Sequence, residues 1–140
     1  MTTVEHILTT HKDRKGPLLP ILHDVQAAFG HVSEEAMQTI ANALNLTRAE
    51  VYGVVSFYHD FKLESDPRPV LKLCRAEACQ SRGVEKLTAG AQATAGSQVK
   101  IEPVYCLGLC SVGPAALTED GLVHARLDAD KLNQLIGDLK

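Results

Sequence analysis

The 140-residue sequence is poor in aromatic side chains and contains no tryptophan. Aromatic residues make up 4% of the chain, so any core must be built mainly from leucine, valine, isoleucine and alanine. No apolar run approaches the roughly 18 consecutive residues that a membrane-spanning helix needs, which excludes a transmembrane segment. The N-terminal stretch also lacks the apolar region and the small-residue cleavage site of a secretion signal. We therefore expect a cytoplasmic protein.

A basic surplus is absent as well, since the formal net charge is -3. General nucleic-acid binders carry excess Lys and Arg to neutralise phosphates. The segment from Ser33 to Phe61 has the outline of a helix-turn-helix, but its second helix offers few donors for phosphates or base edges. A DNA-binding regulator is therefore a minor alternative. No phosphate-binding glycine loop and no serine-nucleophile motif is present, so the chain is not expected to catalyse a reaction alone.

The first part of the chain has the apolar spacing of amphipathic helices. Thr47 and Glu50 are placed as a capping box, Ser33 is a good N-cap, and Gly30 and Asn45 are plausible helix ends. The pattern predicts a helical bundle domain over residues 1–66. Its boundary with the next domain lies within a proline-containing linker at 62–69. The predicted helices span residues 4–10, 18–29, 34–44 and 48–61.

The second part of the chain changes to an α/β pattern. Alternating apolar residues predict a strand at 70–73, and a second strand is predicted at 99–105. A turn at Glu119-Asp120-Gly121 joins a predicted hairpin, formed by residues 115–118 and 122–125. Helices are predicted over 80–95 and 128–139. Residues 67–140 are thus expected to form a compact α/β domain.

Four cysteines form two pairs, each at the end of a predicted strand. Four residues separate Cys74 from Cys79, and three separate Cys106 from Cys110. If the two strands are parallel neighbours, the loops that follow them lie at one edge of the sheet and the pairs converge. Four thiolates suit either a tetrahedral zinc ion or a 2Fe–2S cluster. The wide loops favour the elongated cluster, whereas disulfides are disfavoured in the cytoplasm and no Cys-x-x-Cys redox motif occurs.

The residues around these cysteines are consistent with a buried anionic group. Gly108 and Gly113 would let backbone N–H groups approach sulfur, because they carry no Cβ. Cys79 is expected just before a helix start, where the helix dipole favours a thiolate. Arg75 and Arg82 could offset negative charge, or they could be ordinary solvated arginines.

Phe57, Tyr58 and Phe61 form an aromatic cluster at the end of the helical part. Aromatic side chains are enriched both in cores and at protein interfaces. Packing within the domain and docking of a partner are therefore both open interpretations of this cluster.

Two cysteine segments, CRAEACQSRG (74–83) and VYCLGLCSVGPA (104–115), resemble the thioredoxin-like 2Fe–2S subunit of NADH:quinone oxidoreductase and its relatives. The helical segments FGHVSEEA (29–36) and EVYGVVSFYHDF (50–61) resemble the N-terminal bundle of the same family. The resemblance implies an N-terminal helical bundle followed by a thioredoxin-like 2Fe–2S ferredoxin domain. By analogy with thioredoxin folds, Pro114 is a candidate cis-proline.

The resemblance also implies a function. Cys74, Cys79, Cys106 and Cys110 would ligate one 2Fe–2S cluster, which exchanges single electrons with the FMN of a partner flavoprotein subunit that binds NAD. No nucleic acid and no membrane insertion is implied. The Arg-Ala-Glu-Ala filling between Cys74 and Cys79 most resembles the gamma subunit of NAD-dependent formate dehydrogenase. The same role in an NADH:quinone oxidoreductase or an NAD-reducing hydrogenase is the alternative, and a zinc-stabilised structural module is the alternative of a different class.

Overall fold

A computed structural model of the chain describes residues 1–140. The chain divides into two compact units, Met1–Pro67 and Arg68–Lys140. The first unit is helical and the second combines helices with a sheet, so the α/β fold class predicted from the sequence is confirmed. None of the helices has the length and apolar character required to cross a bilayer.

Four helices form the first unit: α1 Thr3–Thr10, α2 Leu18–Phe29, α3 Glu34–Leu44 and α4 Arg48–Phe57. Side-chain caps begin three of them, because the first backbone N–H groups of a helix have no partner within it. Ser33 accepts from the N–H of Ala36, and Thr47 and Glu50 form the predicted capping box. The apolar faces of the helices meet in one core, whose fully buried members include Ile21, Leu22, Val25, Val32, Met37, Ile40, Ala41, Val51 and Val55.

The end of α4 differs from the prediction. The helix stops at Phe57 rather than near Phe61, because Tyr58 adopts an extended backbone and redirects the chain. That turn lets Phe61 return to the core, where its ring lies 4.9 Å from the ring of His23. The side chain of Gln26 holds this segment in place, since it accepts from the Lys62 N–H at 2.6 Å. Burial of Phe61 and this hydrogen bond oppose further helix.

The second unit contains β1 Val70–Cys74, α5 Glu77–Ser81, α6 Val84–Ala95, β2 Lys100–Val104, β3 Ala116–Thr118, β4 Val123–His124 and α7 Ala129–Leu139. Its sheet has the order β2-β1-β3-β4. β1 and β2 are parallel, whereas β3 runs antiparallel to both β1 and β4. The parallel pairing on which convergence of the cysteine pairs depends is therefore present, and the predicted hairpin is confirmed.

A separate core lies in this unit. Leu71 and Leu73 of β1 are fully buried, as are Leu132 and Ile136 of α7. The core continues to the carboxyl end of β1, because Cys74 and Cys79 belong to the same buried cluster. The packing that stabilises the sheet therefore also fixes two of the four cysteines.

The helix predicted over residues 80–95 is confirmed from Val84 to Ala95, but it is not continuous with residues 80 and 81. The structure has two helices there, α5 and α6, separated at Gly83. Gly83 adopts a φ of 92°, a left-handed conformation that a residue with a Cβ rarely takes. The break redirects the chain between the cysteine loop and the longer α6 that packs on α7.

Replacing Leu71 by Ala should lower the free energy of unfolding by about 2–5 kcal/mol, because a fully buried leucine leaves a cavity in the central strand. Urea unfolding followed by far-ultraviolet circular dichroism measures this change. Leu122→Ala is the matched control, since Leu122 is 58% exposed and its loss should change stability by less than about 0.5 kcal/mol. Equal effects of the two substitutions would contradict this description of the core.

Candidate metal centre

Two loops leave the sheet at the carboxyl ends of β1 and β2. Parallel pairing places Cys74 opposite Val104, so both loops start at the same edge. The Arg75 N–H then donates to the Val104 carbonyl at 2.9 Å, which extends the pairing one residue into the loop. Cys106 follows two residues after the end of β2. The convergence predicted from the spacing of the cysteines is confirmed.

A cavity of about 330 Å³ lies between the loops, and all four cysteines line it. Small and apolar residues form most of the remaining wall, and the single carboxylate among them belongs to Glu77. Cys74 and Cys79 are buried, whereas Cys106 and Cys110 are exposed. The other lining residues are Ala76, Ala78, Leu107, Leu109 and Ala115.

The four thiols are free and grouped as two close pairs. The sulfurs of Cys106 and Cys110 lie 3.5 Å apart, and the thiols of Cys74 and Cys79 are hydrogen-bonded to each other. A tetrahedral metal with metal–sulfur bonds of about 2.3 Å holds neighbouring thiolates about 3.8 Å apart, so the spacing of the exposed pair suits a shared metal. No three His, Cys, Asp or Glu side chains surround a common point closely enough for a single ion. A two-iron cluster takes two thiolates at each iron, and this paired arrangement fits it.

Hydrogen bonds favour the negatively charged form of the Cys74 thiol. Burial raises the pKa of the Cys74 thiol, but hydrogen bonds from the backbone N–H groups of Ala76, Cys106 and Leu107 and from the Cys79 thiol together outweigh it. The net shift of the Cys74 pKa is downward. Two of these N–H groups come from the opposite loop. The fold thus directs donors from both loops to one sulfur.

The pKa values of the Cys79 and Cys110 thiols are shifted upward. Burial, followed by the hydrogen bond to Cys74, raises the pKa of Cys79. The hydrogen bond to Cys106, followed by the charge of that residue, raises the pKa of Cys110. A negative charge on Cys74 or Cys106 therefore disfavours loss of the proton from the neighbouring thiol. Metal binding must displace such protons, because the thiolate is the ligand.

The second cysteine loop has an unusual backbone. Cys106 adopts a φ of 80° and Gly108 a φ of 76°. A positive φ is uncommon for a residue with a Cβ, and such residues cluster at functional sites. This bend brings the Gly108 N–H to 3.4 Å from the Cys106 sulfur, so the predicted approach of Gly108 to sulfur is confirmed.

Gly113 has a steric role that the sequence did not reveal. A Cβ built on this residue would lie 2.9 Å from the Cys79 sulfur, which is closer than real Cβ atoms come to another heavy atom. The peptide bond between Gly113 and Pro114 is cis, as the analogy with thioredoxin folds suggested. Absence of a side chain at Gly113 therefore leaves room for the Cys79 thiol.

The expected position of Cys79 before a helix start is wrong. Cys79 is the third residue of α5, which begins at Glu77 and has no side-chain cap. Ala76 keeps an extended backbone, and the helical conformation begins directly after it, two residues before Cys79. The Cys79 thiol consequently faces Cys74 and Gly113 from within a helical turn.

The two arginines near the cysteines differ in their surroundings. Arg75 forms a two-point ion pair with Glu85 of α6, with contacts of 3.0 Å and 2.7 Å. Its charge is therefore compensated by a carboxylate, a partner that no local sequence pattern indicated because ten residues separate the two. Arg82 is exposed, and its side chain passes near Gly113.

Two features of the helical unit suggested other functions: the helix-turn-helix outline and the aromatic cluster. Neither contributes residues to the cysteine-lined cavity. Arg48 is the first residue of α4, the second helix of the helix-turn-helix outline. Its guanidinium is paired with Glu34 and lies over the ring of Tyr52, 5.0 Å from the ring centre. In the aromatic cluster, Phe61 is buried, whereas Phe57 and Tyr58 are exposed. Packing thus accounts for one of the three rings.

Comparison with known proteins finds relatives among NADH-quinone oxidoreductases and NAD(P)-linked hydrogenases. The chain is 32% identical over 125 residues to a subunit of the NADH-quinone oxidoreductase of Aquifex aeolicus, covering 83% of this chain and 78% of that protein. It is 27% identical over 113 residues to the HndA subunit of the NADP-reducing hydrogenase of Solidesulfovibrio fructosivorans, covering 74% of this chain and 66% of that protein. The crystal structure of an NAD+-reducing [NiFe]-hydrogenase matches with a TM-score of 0.72 and 26% identity, over 88% of this chain but only 22% of that chain.

A sheet whose parallel strands deliver two cysteine pairs to one cavity is the arrangement expected of a thioredoxin-like protein with a candidate metal centre at its sheet edge. The family model for thioredoxin-like [2Fe-2S] ferredoxins matches residues 4–140, so the match covers both units. The chain belongs to this family, and membership implies one 2Fe–2S cluster.

Replacing Gly113 by Ala should displace the Cys79 sulfur, because the new methyl group would lie 2.9 Å from it. We expect the variant, purified without oxygen, to show an altered visible circular dichroism spectrum and less iron per chain. Gly90→Ala is the matched control, since a Cβ at Gly90 meets nothing within 4 Å and alanine favours its helix. Unchanged iron content and spectrum in Gly113→Ala would contradict the steric role of this glycine.

Proposed function

We propose that Cys74, Cys79, Cys106 and Cys110 ligate the 2Fe–2S cluster and that the chain is an electron-transfer subunit. The convergence of all four thiols on one cavity is the observation that carries this proposal. The two close pairs suggest which thiolates share an iron: Cys74 with Cys79, and Cys106 with Cys110. When bound, such a cluster accepts and releases electrons one at a time.

The residues of this chain adjust the environment of that centre. Backbone N–H groups stabilise negative charge on sulfur, which favours the reduced state. Gly108 and Leu107 supply two of these donors. Glu85 compensates the charge of Arg75, so this arginine attracts electrons less strongly than a free one. The buried pair is shielded from water, whereas the exposed pair leaves the cavity open to a partner protein.

The electron partner in this proposal is a flavoprotein subunit that carries FMN and binds NAD. The relatives support it, because they are named as subunits of an NADH-quinone oxidoreductase and an NADP-reducing hydrogenase. In the NAD+-reducing hydrogenase the matching segment is part of a much longer chain, of which it fills 22%. A unit that is covalently joined to its neighbours in one relative is expected to bind them stably in another. The cytoplasm is the compartment we assign to this assembly.

The particular complex we propose first is an NAD-dependent formate dehydrogenase. The support is the Arg-Ala-Glu-Ala sequence between Cys74 and Cys79, which contributes Ala76, Glu77 and Ala78 to the cavity wall. A role in an NADH:quinone oxidoreductase or an NAD-reducing hydrogenase has the support of the named relatives. All three assignments give this chain the same chemistry.

Replacing Cys106 by Ser should remove or shift the visible absorbance and lower the iron content at least severalfold, because one of four thiolate ligands is lost. Ser111→Ala, at an exposed position in the same loop, is the control and should retain the visible absorbance and the iron content of the unmodified chain. Absorbance spectra and metal analysis of anaerobically purified protein measure the effect. Stoichiometric zinc in a colourless unmodified chain would instead establish a zinc module.

Isolation of the tagged full-length chain from its native cell tests the partner. We expect a flavin-containing subunit to copurify in a constant ratio, together with formate-dependent reduction of NAD. Copurification with quinone-reductase or hydrogenase activity alone would overturn the formate assignment and retain the electron-transfer role. Absence of any flavoprotein would contradict the proposed function.

A further inference from the structure

The two cysteine pairs differ in their access to solvent more than in their spacing. The sulfurs of Cys106 and Cys110 lie 3.5 Å apart, and the thiols of Cys74 and Cys79 are hydrogen-bonded to each other. Cys74 and Cys79 are each 2% exposed, whereas Cys106 and Cys110 lie on the surface. Either pair is therefore close enough to be oxidised to a disulfide, but only one pair is open to a reagent that arrives from solution.

The buried pair is enclosed by the core of the second unit. Both cysteines belong to the buried cluster that includes Leu73 and Ala115. A Cβ on Gly113 would lie 2.9 Å from the Cys79 sulfur, so the backbone already occupies this side of the thiol. Thiol–disulfide exchange requires direct attack of one sulfur on another, and an enclosed thiol consequently reacts more slowly than an exposed one.

The exposed pair is brought together by local chain geometry. Three residues separate Cys106 from Cys110, and Cys110 begins a short 3-10 helix that ends at Val112. The Arg126 N–H donates to the Val112 carbonyl at 2.7 Å and fixes this end of the loop. A disulfide bond is about 2.05 Å long, so the two sulfurs already lie near bonding distance. We therefore expect the pair to close without rearrangement of the sheet.

We infer that Cys106 and Cys110 form a reversible redox modification site, which reacts with a low-molecular-weight disulfide of the glutathione type before a metal is bound. One cysteine thiolate attacks the reagent, forms a mixed disulfide and releases one glutathione thiolate. The other cysteine thiolate attacks the protein sulfur of the mixed disulfide and releases the second glutathione. The pair of thiols loses two electrons and two protons, and the reagent takes up both as it becomes two glutathione thiols. An excess of thiol reverses the reaction.

Formation of this disulfide depends only on the thiols of the folded chain. Its consequence for the metal centre rests on the proposed function: while the disulfide persists, two of the four proposed ligands cannot bind iron. Disulfides of cytoplasmic proteins are usually transient, and cellular thiols reduce them. The modification would thus make binding of the cluster responsive to the thiol redox state of the cell.

The test treats the folded full-length chain, freed of metal by a chelator, with oxidised glutathione and then alkylates the remaining thiols in denaturant. Cleavage after Lys and Arg leaves Cys106 and Cys110 together on fragment 101–126, and it places Cys74 and Cys79 each on a fragment of its own. We expect fragment 101–126 to be lighter by two hydrogens and not alkylated, and the other two cysteines to be alkylated. Dithiothreitol before alkylation should make all four cysteines reactive.

Single substitutions test the two steps of the exchange. Cys110→Ser should retain one glutathione on Cys106, because the thiol that would release it is missing. Ser111→Ala, in the same loop, is the control and should form the disulfide of the unmodified chain. The cluster-loaded chain should not react at Cys106 or Cys110. Equal reaction of the loaded and metal-free chains would contradict the proposed ligands and leave the inference intact.

The pattern of products decides the inference. A disulfide between Cys74 and Cys79, a disulfide between the two loops, or unmodified thiols at Cys106 and Cys110 would overturn it. Denaturant present during the oxidation should abolish the selectivity, because it exposes the buried pair. Identical products from the native and denatured samples would therefore overturn the inference as well.

Discussion

Parallel pairing of β1 and β2 is the constraint on which the candidate metal centre depends. Because the strands run in the same direction, the loops that follow them emerge at one edge, and Cys74 lies opposite the last residue of β2. An antiparallel pair would place the two loops at opposite ends of the sheet. The pairing also lets backbone N–H groups of one loop donate to the sulfur of the other, so the same geometry that gathers the thiols lowers the pKa of Cys74.

The cavity between these loops joins two different environments. Cys74 and Cys79 belong to the core of the second unit, and their positions are fixed by packing that involves Leu73 and Ala115. Cys106 and Cys110 are held by a solvent-exposed loop whose bend requires positive φ at two residues. A redox centre held by these four cysteines, as we propose, would be rigid on one side and accessible on the other. Rigidity limits reorganisation when the charge changes, and access allows a partner to approach.

Much of this arrangement could be predicted from the sequence. Caps at Ser33 and Thr47 and the apolar periodicity located the helices, because those signals are local. The position of each cysteine pair at the end of a predicted strand indicated the convergence, on the condition that the two strands are parallel neighbours. The remaining features depend on contacts that no local pattern contains. The Arg75–Glu85 pair and the approach of Gly113 to the Cys79 sulfur join residues far apart in the chain. The early end of α4 follows from the burial of Phe61, and the division of the 80–95 helix follows from the left-handed backbone at Gly83.

We propose that four thiolates from two loops hold one 2Fe–2S cluster. The most direct measurement is iron and acid-labile sulfide analysis of the isolated full-length chain, purified without oxygen, combined with electron paramagnetic resonance before and after dithionite reduction. If the cluster is present, we expect equal amounts of iron and sulfide, two of each per chain, and a paramagnetic signal that appears only on reduction. A colourless chain with stoichiometric zinc, no sulfide and no signal after reconstitution with iron and sulfide would contradict it.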